Sequence, residues 1–325
     1  RFKCDWSSDV CSSDLLSEAA QRRDLLVAWL RDHAYPLWWE QGYDHARGGF
    51  HEKLDQTGRA VDAPRRARVQ PRQIYAYAIA PGLGWTGPAE TIVEQALATY
   101  LARYRRDDRL FRTLVAADGS VLDDNVDLYD QAFALFGLCH AALALNDAAG
   151  LHPVAATLRD RLIARCQHQG GFAELDPDTP TLQSNPNMHL FEASLAWEAA
   201  GGDAGWTAMA DGIAGLALTR FIDARTGALR EFFDRNWHPA PGTPGRIVEP
   251  GHQFEWAWLL LRWGRLRGRQ DAIAAGLRLL EIGETHGVDP ARDVGINSLL
   301  DDFSVHDASR SEEHTSELQS HLNLV

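Results

Sequence analysis

"EPGHQFEWAW", residues 249–258, places an imidazole and a carboxylate, His252 and Glu255, three residues apart in a tryptophan-rich stretch. Helix positions i and i+3 share a face, so both polar groups fall on the side that the apolar residues bury. The same pattern, polar, x, aromatic, acid, occurs upstream as Asp127-Leu-Tyr-Asp130 and His189-Leu-Phe-Glu192, at spacings of 62 and 63 residues. Arg72-Gln-Ile-Tyr75 opens a further helix 55 residues before Asp127. Each interval holds two helices, and a period of this kind marks a repeat architecture. Inner and outer helices that alternate around a ring would bring all these helix starts to one mouth, above an apolar floor.

Helical periodicity dominates the chain, in stretches such as "AETIVEQALATYLARYRR", "LYDQAFALFGLCHAALAL" and "RQDAIAAGLRLLEIGETH". Strand signals are confined to short segments, "GGFHEKLD" (48–55) and "GALREFFD" (227–234), which read as hairpins in loops. The expected fold is all-α, a toroid of helical hairpins. About six units close such a ring, and four inner-helix starts precede residue 310, so the toroid is expected to be incomplete.

The two ends read as artefact. "RSEEHTSELQS" (310–320) is the in-frame translation of a common sequencing adapter, and "DWSSDVCSSDL" (5–15) translates the opposite strand of the same oligonucleotide. Residues 1–15 and 310–325 are therefore set aside, leaving one partial domain at 16–309. The net charge is −13, of which these ends carry −1 and −2, leaving −10. An acidic body argues against nucleic-acid or anionic-membrane binding. Two of the four cysteines, Cys4 and Cys11, fall in the set-aside end. Cys139 and Cys166 form neither a disulfide framework nor a zinc motif, which fits a cytoplasmic protein. The longest apolar run, residues 133–145, is too short to span a bilayer.

The segments "QPRQIYAYA", "SNPNMHLFEASLAWEA" and "EPGHQFEWAWLL" resemble the N-acylglucosamine 2-epimerase superfamily, which includes mannose isomerases and cellobiose 2-epimerases. The likeness covers residues 16–309. It implies an (α/α)6 barrel and a metal-free isomerase or 2-epimerase that moves a proton at C1 and C2 of a sugar between two histidines. Carried over residue by residue, it puts catalytic roles on Arg72, His189, His252 and Glu255. The second catalytic histidine would belong to the last inner helix, beyond residue 310; His306, His314 and His321 do not stand in for it.

Such chemistry needs a positioned base and stabilisation of the enediol oxygen that gains charge, and histidine can take and return a proton near neutral pH. His252 is read as one acid/base with Glu255 orienting its ring, Arg72 as the oxyanion partner, and His189 as a bond to a hydroxyl or the ring oxygen. Asn187, Asp130, Trp256 and Glu192 are expected to bind substrate. Asp127 and Asp130 could equally serve a helix cap, and Trp38, Trp39 and Trp256 could be wall. Arg65, Arg66 and Arg68 could hold a sugar phosphate, although arginine runs are commonly solvated faces. The expected substrate is mannose or a related sugar, as a monosaccharide or sugar phosphate, with aldose–ketose isomerisation as the reaction; an N-acylglucosamine or disaccharide 2-epimerase is the alternative. No cofactor or metal is expected, because Arg72 would compete with a metal at a mouth otherwise able to form a carboxylate–histidine site. An inverting glycosidase using Asp127 or Asp130 with Glu255 leaves the histidines without a task. A non-catalytic sugar- or partner-binding protein is the reading from another class. A monomer or homodimer is expected.

Overall fold

The structure, a computed structural model, describes residues 20–310 apart from 177, 178, 180 and 293. The adapter reading of residues 1–15 and 311–325, with His314 and His321, lies outside the described residues. The first helix, α1, runs from 20 to 42 and is irregular: π turns at Leu30–Ala34 and Trp38–Gly42 flank the Tyr35–Leu37 segment that carries Pro36. Proline offers no N–H to the preceding turn and its ring crowds the carbonyl four residues back, and widened turns take up that misfit.

Four helical hairpins follow: α2 (Val69–Ile79) with α3 (Ala89–Tyr104), α4 (Leu128–Ala144) with α5 (Ala148–Cys166), α6 (Ser184–Ala199) with α7 (Ala204–Leu216), and α8 (Pro250–Arg267) with α9 (Gln270–His286). The first helix of each hairpin packs on its own partner and on the first helix of the next hairpin. Thus α2, α4, α6 and α8 form the inner layer. Their sequences explain the placing. Of the sixteen residues of α6, thirteen are buried, a helix with no solvent face, whereas α9 buries one stripe, Ala272, Gly276, Leu279, Ile282 and Gly283. Inner helices approach closely at Gly137 of α4, where a Cβ would lie 2.5 Å from that of Pro71. Aspartates start several helices: Asp127, Asp147 and Asp203 each accept from a backbone N–H of the first turn.

The expected strands at 48–55 and 227–234 are present only as isolated bridges, Tyr43 with Phe50, Leu54 with Ala60, Ile222 with Leu229 and Phe233 with Pro239, and as Phe232–Phe233 paired with Leu182–Gln183. A longer hairpin that the sequence reading did not anticipate pairs Val294–Leu300 with Val305–Arg310, and Ile247–Val248 lies on its other side. It covers a small apolar cluster of Ala228, Val248, Ile282, Ile296 and Leu299. Register shifts between Ile296 and Leu299 break the two-residue alternation that would have marked it.

One bonding pattern recurs in every hairpin. In the first turn of each inner helix a carboxamide brackets both backbone groups of an apolar residue in the preceding loop. Gln70 accepts from Phe50 N–H and donates to its carbonyl at 2.8 and 2.9 Å. Gln131 holds Phe111 at 2.8 and 2.8 Å, Asn187 holds Phe172 at 2.8 and 3.0 Å, and Gln253 holds Leu229 at 2.9 and 3.0 Å. Two residues before each clamped residue the backbone is left-handed, at Gly48, Arg109, Gly170 and Gly227. Glycine adopts that conformation without a Cβ clash, and only the second unit places a side chain there. The clamp sits in buried surroundings, where an unpaired backbone group costs about 1–3 kcal/mol, so it locks each loop to the helix that follows.

Candidate active site

The clamps define the true register of the repeat. Two residues beyond each clamp stand Arg72, Phe133, His189 and Glu255; one residue before it stand Val69, Asp130, Pro186 and His252. The motif spacing of 62 and 63 residues is therefore a coincidence of composition: His189 and His252 are not equivalent positions, and the counterpart of His189 is Glu255. Contacts follow the new register around the ring. The Arg72 guanidinium lies 4.0 Å over the Phe133 ring, whose centroid is 4.5 Å from that of His189. One turn deeper, Tyr75 and Phe136 pack at 4.7 Å.

A cavity of about 990 Å³ opens at this mouth, lined by Arg72, Tyr75, Tyr129 and Phe133 from the inner helices and by Gln183, Asn185 and Pro186 at the start of α6. Its outer wall is α1, with Trp38, and the loop carrying Glu52, Lys53 and Asp55. Arg72 donates to the Tyr129 hydroxyl. The Tyr129 ring in turn stands edge-on to His189 at 4.9 Å. His189 and His252 do not line the cavity; His189 packs on the lining residues Tyr129 and Phe133, and His252 shares the Glu231 carboxylate with Ser184, the neighbour of the lining residues Gln183 and Asn185.

His252 is 2 % exposed. Its Nδ1 is 2.9 Å from Glu231 Oε2 and 3.2 Å from Glu249 Oε2. Burial opposes a charge on this ring, but the Glu231 and Glu249 carboxylates, the hydrogen bond that the ring donates to Glu231 and the charge of Glu255 together hold its pKa well above the usual histidine value. Beside the cavity, burial and the neighbouring Asp127 push Glu174 up to about 7, although its Oε2 accepts from Leu128 N–H. Glu231, Glu249 and His252 are also the one group of potential metal ligands among the described residues whose donor atoms lie within 4.8 Å of one another.

The family model of N-acylglucosamine 2-epimerase (GlcNAc 2-epimerase) matches residues 48–315. A mannose-6-phosphate isomerase of Rhizobium meliloti (strain 1021) is 50% identical over 287 residues, covering 87% of this chain and 74% of the relative. The chain belongs to the N-acylglucosamine 2-epimerase family. A D-mannose isomerase of Thermobifida fusca is 31% identical over 164 residues, 46% of this chain and 40% of that protein. The crystal structure of a D-mannose isomerase shares the fold with a TM-score of 0.76 at 19% identity, over 87% of this chain and 76% of that one. The all-α reading and the (α/α)6 architecture hold, and among the described residues no helix is long and apolar enough to cross a membrane.

Within this epimerase-family fold, several of the residues expected to contact substrate are engaged by the protein itself. Asn187 is the clamp of the third unit: its oxygen takes Phe172 N–H and its amide serves the Phe172 and Gln183 carbonyls, so its carboxamide is engaged by the backbone. Trp256 is fully buried between Phe191 and Phe221 and is core, not platform. Asp130 is buried beneath Arg68, whose Nε lies 2.8 Å from it, and burial raises its carboxyl to about 7. Glu192 is 3.3 Å from His189 Nδ1 and orients that ring. Glu255 is buried one turn beyond His252 and contributes charge to it, while the Nδ1–H of His252 donates to Glu231.

The arginine run is likewise engaged. Arg65 is buried against Asp44 at 2.5 Å, Arg66 is held by Glu52 at 2.5 Å, and Arg68 bridges Asp127 and Asp130. Trp38 lines the cavity, whereas Trp39 packs on Tyr43 and His45 as wall. His306 bonds Ser298 in the terminal hairpin.

Sequence reasoning missed Glu231. The signal was present as Phe50-His-Glu52, Phe111-Arg-Thr113, Phe172-Ala-Glu174 and Leu229-Arg-Glu231, a clamped residue followed two positions on by a rim side chain.

Proposed function

We propose that the full-length protein interconverts an aldose such as mannose with its 2-ketose through an enediolate. The observation that carries this reading is a buried imidazole, His252, held by carboxylates behind the wall of a sugar-sized cavity at the mouth of an epimerase-family barrel. In the forward step the C2–H bond breaks, its electron pair forms the C1–C2 double bond, and the former carbonyl oxygen gains charge. Arg72, on the cavity surface, is suited to that oxygen. His252 serves as one of two acid/bases that take or return the carbon-bound proton, and the other comes from an inner helix beyond residue 310. His189, oriented by Glu192 and packed on the lining side chains Tyr129 and Phe133, is one shift of those rings away from a hydroxyl or the ring oxygen of a bound sugar. The names of the relatives support mannose or its phosphate as substrate. The engagement of Arg66 and Arg68 by carboxylates argues against a preformed phosphate site. We assign the protein to the cytoplasm on its cysteine usage.

We also propose that residues 16–309 form part of a longer ring, between adapter-derived ends. The support is exposed apolar surface on both flanks: Leu25, Leu26, Trp29 and Leu37 on α1, and Leu266 and Leu277 on α8 and α9. The 325-residue chain should bind an apolar dye strongly and turn over little, and the full-length product should do the reverse; equal behaviour of the two would remove the proposal.

The activity is tested by incubating the full-length product with mannose, glucose, N-acetylmannosamine and mannose 6-phosphate in deuterated water, before and after exhaustive chelation. Deuterium should appear at C1 or C2 and survive chelation, and His252→Asn should lower the rate by about 10²- to 10⁴-fold. No exchange into any of the four sugars would end the isomerase reading. Exchange confined to C2 with recovery of the epimer would convert it to a 2-epimerase.

A further inference from the structure

We propose that Glu231 is the positioning residue of His252: it fixes Nδ1 as the hydrogen-bearing nitrogen, assigns proton exchange to Nε2, and balances the charge of the ring when both nitrogens are protonated. This rests on the reading of His252 as an acid/base. A carboxylate oxygen can only accept, so the 2.9 Å contact with Glu231 Oε2 requires Nδ1–H to donate. The geometry is that of a buried carboxylate–imidazole pair, in which the carboxylate selects the tautomer and stabilises the imidazolium without itself carrying the proton.

Glu231 is built to hold that place. It is 2 % exposed. Its backbone is tied on both sides, with Ser184 N–H donating to its carbonyl at 3.1 Å and its own N–H donating to Ile247 at 3.2 Å. The Ser184 hydroxyl donates to the same Oε2 at 2.8 Å. The oxygen that meets His252 is thereby anchored from α6, the helix that also carries His189. Glu249, the other carboxylate near Nδ1, is 26% exposed in its side chain and lies farther away, so water screens it more than it screens Glu231.

The repeat shows that this carboxylate is a standard fitting put to a particular use. At the equivalent rim position Glu52 holds Arg66, and Glu174 accepts from Leu128 N–H at the start of α4. The second unit has Thr113 there. Glu52 engages a donor of the segment that follows it, Glu174 one of the preceding inner helix, and Glu231 one of each, Ser184 and His252; among the described units only the fourth offers its rim acid an imidazole.

The test uses full-length protein carrying ¹⁵N-labelled histidine, with Glu231→Gln as the variant. Glutamine keeps the shape and can still accept from Nδ1–H, but it lacks the charge. The expected result is a fall in kcat of about 10²-fold or more with KM changed less than about threefold, and a His252 ring whose ¹⁵N signals pass to the neutral form at lower pH than in the wild type. Ser184→Ala, which removes only the second donor to Oε2, should give the same changes in smaller measure and serves if Glu231→Gln does not fold. Unchanged kcat and unchanged ring signals in a folded Glu231→Gln overturn the proposal while leaving the isomerase reading intact. If the wild type turns over no sugar, yet its ring titrates high and Glu231→Gln lowers it, the acid/base reading falls and the positioning pair stands. Added zinc or manganese that shifts the ring signals and raises turnover would instead make Glu231, Glu249 and His252 a metal site, and would overturn the proposal.

Discussion

The second and fourth units of the ring have the same frame and different chemistry. Each has a left-handed turn, at Arg109 or Gly227, a clamped apolar residue, Phe111 or Leu229, and a first-turn glutamine, Gln131 or Gln253, that grips it. At the rim the second unit has Thr113 and the fourth Glu231; before the clamp, Asp130 and His252; beyond it, Phe133 and Glu255. Asp130 tethers an arginine and Phe133 supports Arg72 and His189, so the second unit shapes the cavity wall. The fourth unit gathers a buried imidazole and its carboxylates. The fold is thus specified by the clamp and its turn, and the proposed activity by the neighbours of the clamp, which are free to change.

The comparison can be broken most severely at the clamps. Gln131→Ala and Gln253→Ala each strand a buried N–H and a buried carbonyl, at about 1–3 kcal/mol per group, so each should lose roughly 2–4 kcal/mol in denaturant unfolding, and by similar amounts. A loss confined to one of them would mean that the units do not share a frame.

A smaller effect sharpens the contrast between rim acids. Glu174 titrates near 7 when folded and near its ordinary value when unfolded. Its pKa is raised on folding, so its contribution is fully present below the unfolded pKa and is lost as pH rises through about 7. Glu174→Gln should therefore match the wild type in melting temperature near pH 4 and exceed it at pH 8, by the equivalent of about 3 kcal/mol. Scans at the two pH values read it directly; an equal gain at both would mean that the charge of Glu174 is not what the variant relieves.

Much of the fold was legible because apolar residues recur at helical spacing along every hairpin, which reads as an all-α chain; which helices are inner is not marked by composition, since the outer α7 is more apolar than the inner α6. The π turns around Pro36 and the hairpin at Val294–Leu300 were not legible, the first because turn widening leaves the apolar pattern intact, the second because its register shifts disrupt alternation. At the candidate site, His189, His252 and Arg72 were singled out as residues, but the structure sets them in a different register of the repeat. A polar-x-aromatic-acid motif is a statement about side-chain types, whereas the clamp is a statement about backbone groups that the sequence does not display. Asn187 looked like a sugar contact for the same reason: a carboxamide beside a histidine suggests ligand binding until the loop it grips is known. Glu231 was hidden by its distance of 21 residues from His252, a separation only the folded chain closes.

The central claim is that clamps carry the fold and their neighbours carry the activity, and α6 holds one of each within two residues. Melting temperature and kcat/KM on mannose, measured side by side for Asn187→Ala and His189→Gln in the full-length protein, test it most directly. The account predicts that Asn187→Ala melts well below the wild type while its folded fraction keeps kcat/KM within about threefold, and that His189→Gln melts close to the wild type with kcat/KM reduced by about 10²-fold or more. An Asn187→Ala protein that melts normally and has lost its activity, or a His189→Gln protein that is active but unstable, would contradict it.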